Sequence, residues 1–311
     1  MSRKRVIILY EIAIIIPLVL VSLLSLLMGT PIIGTVPGLL GTLALMLACL
    51  FYVYFSVKRR TDDSMTKLVT KYDCECNPEA LVKGGGQIAF NAMQAREKGD
   101  LLQVGDAWFL SPYALACLDT GSTNSAQEIA SAIIEDAMKQ KKFADQASML
   151  VNVEPVVLRL RGPEEALSVL NKAEELASFD NGGAMQEVLS YIGFEKSVLE
   201  ALCANDQDKL LELFVSVMNN EKQPMRIRVL DADAVGSIYR ARGREDFEIQ
   251  ALNFVELHGG TLPVKAEAEK RLEELFSVQG EKPQEEPAAS SDEEDWDDEE
   301  GMDNEEGSSE A

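Results

Sequence analysis

The stretch VIILYEIAIIIPLVLVSLLSLLM at residues 6–28, with LLGTLALMLACLFYVYFSV at residues 39–57, decides how the rest of the chain is read. The first is apolar apart from Glu11, Ser22 and Ser25, and the second carries no charge. A helix crosses the hydrocarbon core of a bilayer with about 20 apolar residues, and both stretches reach that length. Arg3-Lys4-Arg5 precedes the first and Lys58-Arg59-Arg60 follows the second, while the link from Gly29 to Gly38 is uncharged. Basic flanks stay on the cytoplasmic side of a membrane. The pattern predicts a two-helix transmembrane hairpin over residues 1–60, with only the link on the far side and both chain ends cytoplasmic. Phe51-Tyr52-Val53-Tyr54-Phe55, just before the second basic triplet, matches an interfacial aromatic belt. Residues 6–28 exceed the roughly 7–15 residues of a signal-peptide apolar region, and no small-residue cleavage site precedes Leu39. The expectation is therefore an uncleaved, multi-pass anchor in the cell membrane.

Charge characterises what the hairpin holds. The formal net charge is -23. Glu281 to Ala311 has fifteen acids and one base, Lys282, a net -14, whereas residues 1–60 have six bases and Glu11, a net +5. The body from Thr61 to Gly280 is thus also near -14. Phosphate backbones and anionic headgroups bind positive charge, so the composition argues against nucleic acid as a partner. Only the basic triplets suit the lipid surface. From Gln279 onward apolar residues almost vanish, and runs such as Asp292-Glu293-Glu294-Asp295 cannot bury enough surface to offset ordering entropy. Residues 279–311 read as a disordered acidic tail. Within it Trp296 stands alone among acids, an aromatic able to anchor in an apolar pocket with a basic rim. Asp295, Asp297, Glu299 and Glu306 loosely evoke a calcium loop. The position that requires glycine is Glu300, however, and no apolar helices flank the segment.

Between hairpin and tail the apolar positions recur at helical spacing and nowhere alternate convincingly with period two. Met65, Leu68, Val69 and Tyr72 predict a short amphipathic helix with Asp62 and Asp63 at its start. Asn77-Pro78-Glu79 supplies a cap, a first-turn proline and an early acid for the next. Gly84-Gly85-Gly86 implies either a break or a close backbone contact, since each helical glycine costs about 1 kcal/mol relative to alanine. Ser111-Pro112 predicts a kink or division within Asp106–Leu118. Ser125 is the expected cap for a helix burying Ile129, Ala132, Ile133 and Ala137. Further helices are expected over Phe143–Leu160, from Pro163, from Met185, around Leu210 to Met218, and over Met225–Arg242, Asp246–Leu257 and Val264–Phe276.

A string of short-linked helices with recurring small residues points to an α-solenoid rather than a compact bundle. Ala232, Val235, Gly236 and Tyr239 on one helix, Gly243 in the turn, and Leu252 and Val255 on the next resemble a tetratricopeptide repeat. Phe143 to Ala177, through Gly162 and Ala166, resembles the same layout. Cys76-Asn77-Pro78-Glu79-Ala80-Leu81 looks like the repeat-type helix starts of membrane-anchored bacterial proteins of that kind. The chain departs from the pattern at Glu248, where a small residue is expected, and no proline closes the repeat at Gly260. The resemblance implies an all-α, tetratricopeptide-like domain over residues 61–278 whose concave side binds a protein segment. Tyr239 and Arg240 are then candidate partner contacts, with Trp296 in the tail.

Enzymatic signatures are sparse. The single histidine, His258, precedes Gly259-Gly260 at a helix end, where imidazole favours the negative dipole. Lys83-Gly84-Gly85-Gly86 lacks the Gly-Lys-Ser/Thr continuation and preceding strand of a phosphate loop. Of Cys49, Cys74, Cys76, Cys117 and Cys203, only Cys74-Glu75-Cys76 forms a local motif, and neither a second pair nor clustered histidines complete a metal site. Glu11 is a polar residue within the first span, close enough to the cytoplasmic end to reach Lys4 or Arg5. The residues thus imply no catalytic, cofactor or metal site. They imply a membrane-anchored scaffold that binds the bilayer and a protein partner, with self-association also open. The alternative is a membrane subunit of a secretion, transport or envelope-assembly complex that acts through the hairpin. It would be favoured if Glu11 or the Gly38/Gly41 face proved essential. An enzyme with an unrecognised site is a third class.

Overall fold

The computed structural model describes residues 12–23, 36–179 and 183–279. Glu11, the Gly29–Gly38 turn up to residue 35, and the tail with Trp296 and the calcium-like acids lie outside the described residues. The described residues are helical, without strands, in the order α1 (12–23), α2 (Val36–Glu75), α3 (Pro78–Glu97), α4 (Val104–Asp119), α5 (Thr123–Ala137), α6 (Phe143–Arg161) and α7 (Pro163–Ala177). They continue with α8 (Gly183–Ala204), α9 (Gln207–Met218), α10 (Met225–Ala241), α11 (Glu245–His258) and α12 (Pro263–Gln279). Contacts group Met1–Leu272 as one unit and Glu273–Ala311 as another, of which only 273–279, the end of α12, are described.

Several sequence expectations change for identifiable reasons. No proline or glycine lies between Val57 and Met65, so the predicted second span and the amphipathic helix are one 40-residue helix, α2, about 60 Å long. Asp62 and Asp63 lie inside it, not at a helix start. Asn77 does cap α3, its Oδ1 accepting the Ala80 N–H at 3.0 Å. The three glycines do not break α3; they permit close approach. A Cβ at Gly84 would stand 2.5 Å from Leu68 Cδ2 of α2, and one at Gly85 2.9 Å from Phe109 Cζ of α4. Pro112 lies inside an undivided α4, and α5 starts at Thr123 with Ser122, not Ser125, in the cap position.

Each helix from α2 to α10 packs on the next, the arrangement of an α-solenoid. Polar ties reinforce the layers. Asp136 of α5, 1% exposed, accepts from the Leu102 N–H at 3.1 Å and pairs with Arg96 Nε of α3 at 3.0 Å. One feature lies outside a purely sequential solenoid: α10 also packs on the C-terminal end of α2. Arg226 Nε of α10 pairs with Asp73 Oδ1 at 3.0 Å, and its guanidinium lies 4.7 Å from the centre of the Tyr72 ring. Tyr72, fully buried, donates from its hydroxyl to Asp119 Oδ2 of α4 at 2.6 Å, and Asp119 also pairs with Arg159 of α6. The α11–α12 turn joins the same place, the Thr261 N–H donating to the Cys76 carbonyl at 3.0 Å.

Among the described residues no helix is long and apolar enough to cross a membrane.

Candidate functional site

Tyr239 and Arg240 sit at the end of α10, where local packing occupies both. The Tyr239 ring stacks on Phe247 of α11 with centroids 5.0 Å apart. Arg240 Nε donates to Glu248 Oε1 at 2.7 Å, and Arg271 Nε of α12 donates to the same oxygen at 2.8 Å. Glu248, the departure from the repeat pattern, is thus a carboxylate 1% exposed that bridges two arginines from flanking helices. Burial opposes its ionisation, but the hydrogen bonds from Arg271 and Arg240 outweigh this and hold its pKa below the ordinary value. Gly236 lies 3.6 Å, measured from an added Cβ, from Ala251 Cβ and Leu252 Cδ2, so the α10–α11 approach is close but not forced. Gly243 turns the chain between them at φ +66°.

The cysteine motif separates. Cys74 is exposed, whereas Cys76 is buried, and burial pushes its thiol up to about 11. His258, at the end of α11, lies tilted against Phe254, with ring centroids 4.6 Å apart.

A different region gathers unused chemistry. α8, α9 and α10 enclose a cavity of about 350 Å³ lined by Tyr191, Phe194, Glu195, Phe214 and Asp231, among others. No lysine or arginine is among its lining residues. On α6, outside this lining, Glu154 is 1% exposed, and its Oε1 has no hydrogen-bond partner. The three carboxyls are electrostatically linked, Glu154 fully buried and Glu195 and Asp231 half-buried. Burial, then the charge of Glu195, pushes Glu154 up to about 8 and Asp231 up to about 7. Burial raises Glu195 as well, with the Tyr191 hydroxyl acting in the opposite direction. Desolvation disfavours an anion unless a cation accompanies it. Among the described residues no three His, Cys, Asp or Glu side chains gather closely enough to hold a metal ion. The acids surround a volume instead of converging on a point.

Sequence reasoning missed this site because its lining is assembled from three successive helices, with Glu154 coupled to it from α6, and forms no local motif. One signal was present. Glu154 interrupts the apolar run Met149, Leu150, Val153, Val156 and Val157 on the buried side of α6.

No protein-family model matches the chain, and neither a curated protein nor a solved structure matches it.

Proposed function

We propose that the chain is a membrane-anchored scaffold: a two-helix hairpin holds the helical body at the cytoplasmic face, and the body binds a protein partner. The observation that carries this reading is the exposure of the apolar helices. Ile15, Val19 and Leu23 of α1 are 55–59% exposed, and Leu40, Phe51, Tyr52 and Phe55 of α2 are 59–75% exposed. A protein in water rarely leaves contiguous apolar patches beyond a few hundred Å². In hydrocarbon the same side chains are solvated and a helix satisfies its own backbone. The uncharged residues 39–57 lie wholly within α2, whose unbroken backbone leads from the proposed span into the body. Val69 and Tyr72, toward its other end, belong to the core of the body.

The acidic body and tail favour a partner that presents basic residues, since complementary charge raises association rates and suppresses wrong pairings. Likeness to tetratricopeptide repeats supports a helical surface as the recognition element. Tethering then acts by raising the partner's effective concentration at the membrane. Affinity capture from detergent-solubilised membranes tests the reading with the full chain, a chain ending at Gly280 and the body Thr61–Gly280. The scaffold reading predicts a stoichiometric partner on all three. Loss on removing the tail moves recognition to Trp296 and its acids. A partner held only by chains containing Val6–Val57 contradicts the scaffold and favours the membrane-subunit alternative.

A further inference from the structure

The cavity between α8, α9 and α10 has the chemistry of a cation site and no cation of its own. Glu195 and Asp231 present two carboxyls to it, while Tyr191, Phe194 and Phe214 supply aromatic surface. Glu154, outside the lining but coupled to it, has a carboxyl oxygen buried without a hydrogen bond; the Glu195 charge acts on it, and its own charge acts on Tyr191. Buried polar atoms are otherwise almost always satisfied. Arg226, whose charge reaches Tyr191, is committed to Asp73 and to the Tyr72 ring.

We propose that this cavity binds an alkylammonium group, with Glu195 and Asp231 accepting its N–H donors and Tyr191, Phe194 and Phe214 packing against its apolar stem. The volume, about 350 Å³, lies at the small end of ligand pockets, which run from about 300 to 1,000 Å³. A four-carbon amine chain fits this description better than a metal ion, which needs ligands converging on one point. An ammonium near aromatic faces gains a cation–π contribution that grows as water is excluded. Either a free polyamine or a lysine side chain of a bound protein supplies this group. The inference does not depend on the membrane or scaffold reading.

The full chain in detergent micelles, titrated calorimetrically with n-butylammonium at mildly alkaline pH, tests it. One-to-one binding is expected, with n-butanol, the uncharged isostere, binding at least about tenfold more weakly. Asp231→Asn is expected to weaken butylammonium binding about tenfold, as loss of a charge-assisted hydrogen bond would. Phe194→Leu, which preserves charge, is expected to weaken it a few-fold. Spermidine and a lysine capped at both backbone ends separate the sources: tighter binding of spermidine identifies a free polyamine, tighter binding of the capped lysine a protein side chain. No binding by the wild-type chain, equal binding of butanol, or unchanged binding in a folded Asp231→Asn chain would overturn the proposal.

Discussion

Glu154→Gln raises the thermal unfolding midpoint at about pH 9 and leaves it nearly unchanged at about pH 5, because the wild-type carboxyl gives up its proton at a cost. Its folded pKa, about 8, stands above the ordinary 4.5. Between those values the folded chain holds a proton that the unfolded chain has released. The sign is therefore negative: stability falls as pH rises through the window, by about 1.4 kcal/mol per pH unit for one group. Summed over the window the loss is on the order of 3–5 kcal/mol. Glutamine carries no charge at any pH and removes that loss. Asp231, pushed to about 7, and Glu195, also raised, titrate in the same direction, so some decline persists in the variant. Asp233, raised by burial and then by Glu267, adds to that remainder. At the acid end Asp136 and Glu248, both lowered, contribute stability that is lost only below the ordinary carboxyl range. Thermal melts across the range check this. Parallel wild-type and Glu154→Gln curves would refute the assignment of the alkaline loss to Glu154.

Gly260→Ala is expected to be the most damaging single-methyl change in the body. The residue has φ +55°, and an added Cβ would press on the Glu75 carbonyl oxygen and stand 2.7 Å from that of Cys76. Both obstacles are backbone at the end of α2, where the α11–α12 turn meets it, so neither moves cheaply. The left-handed conformation costs alanine about 1–2 kcal/mol and the overpacking about 1–3 more. A total of about 3–4 kcal/mol follows, several degrees in melting midpoint for a chain of this size. Gly243→Ala is the matched control. Its φ is +66°, but nothing lies within 4 Å of an added Cβ, so only the conformational part applies. Equal losses for the two variants would show that the turn does not bear on α2 as described.

The helix starts were legible because their chemistry is local: Asn77-Pro78 and Pro163 carry their own signals, and Gly243 marks its turn. Non-local packing was not. The glycines of α3 were legible as an anomaly, but only Leu68 and Phe109 reveal them as contact points instead of a break. Glu248 read as a misfit to a repeat because its second partner, Arg271, lies on the following helix. Tyr239 and Arg240 were placed by likeness, and both turn out to be engaged by their neighbours on α11. The acidic cavity is built by the packing of α8, α9 and α10, which no local motif announces. Composition announced abundant acid without saying that some of it would be buried.

The orientation of the body at the membrane is tested most directly by thiol labelling. Cys74 and Cys203 are exposed on the body. Cells producing the full chain are treated with a membrane-impermeant maleimide before and after they are opened, and the membranes are then washed at alkaline pH. The account predicts no labelling of Cys74 or Cys203 in intact cells, labelling of both in opened cells, and the chain retained in the washed membranes. Labelling in intact cells, or release of the unlabelled chain by the alkaline wash, would contradict it.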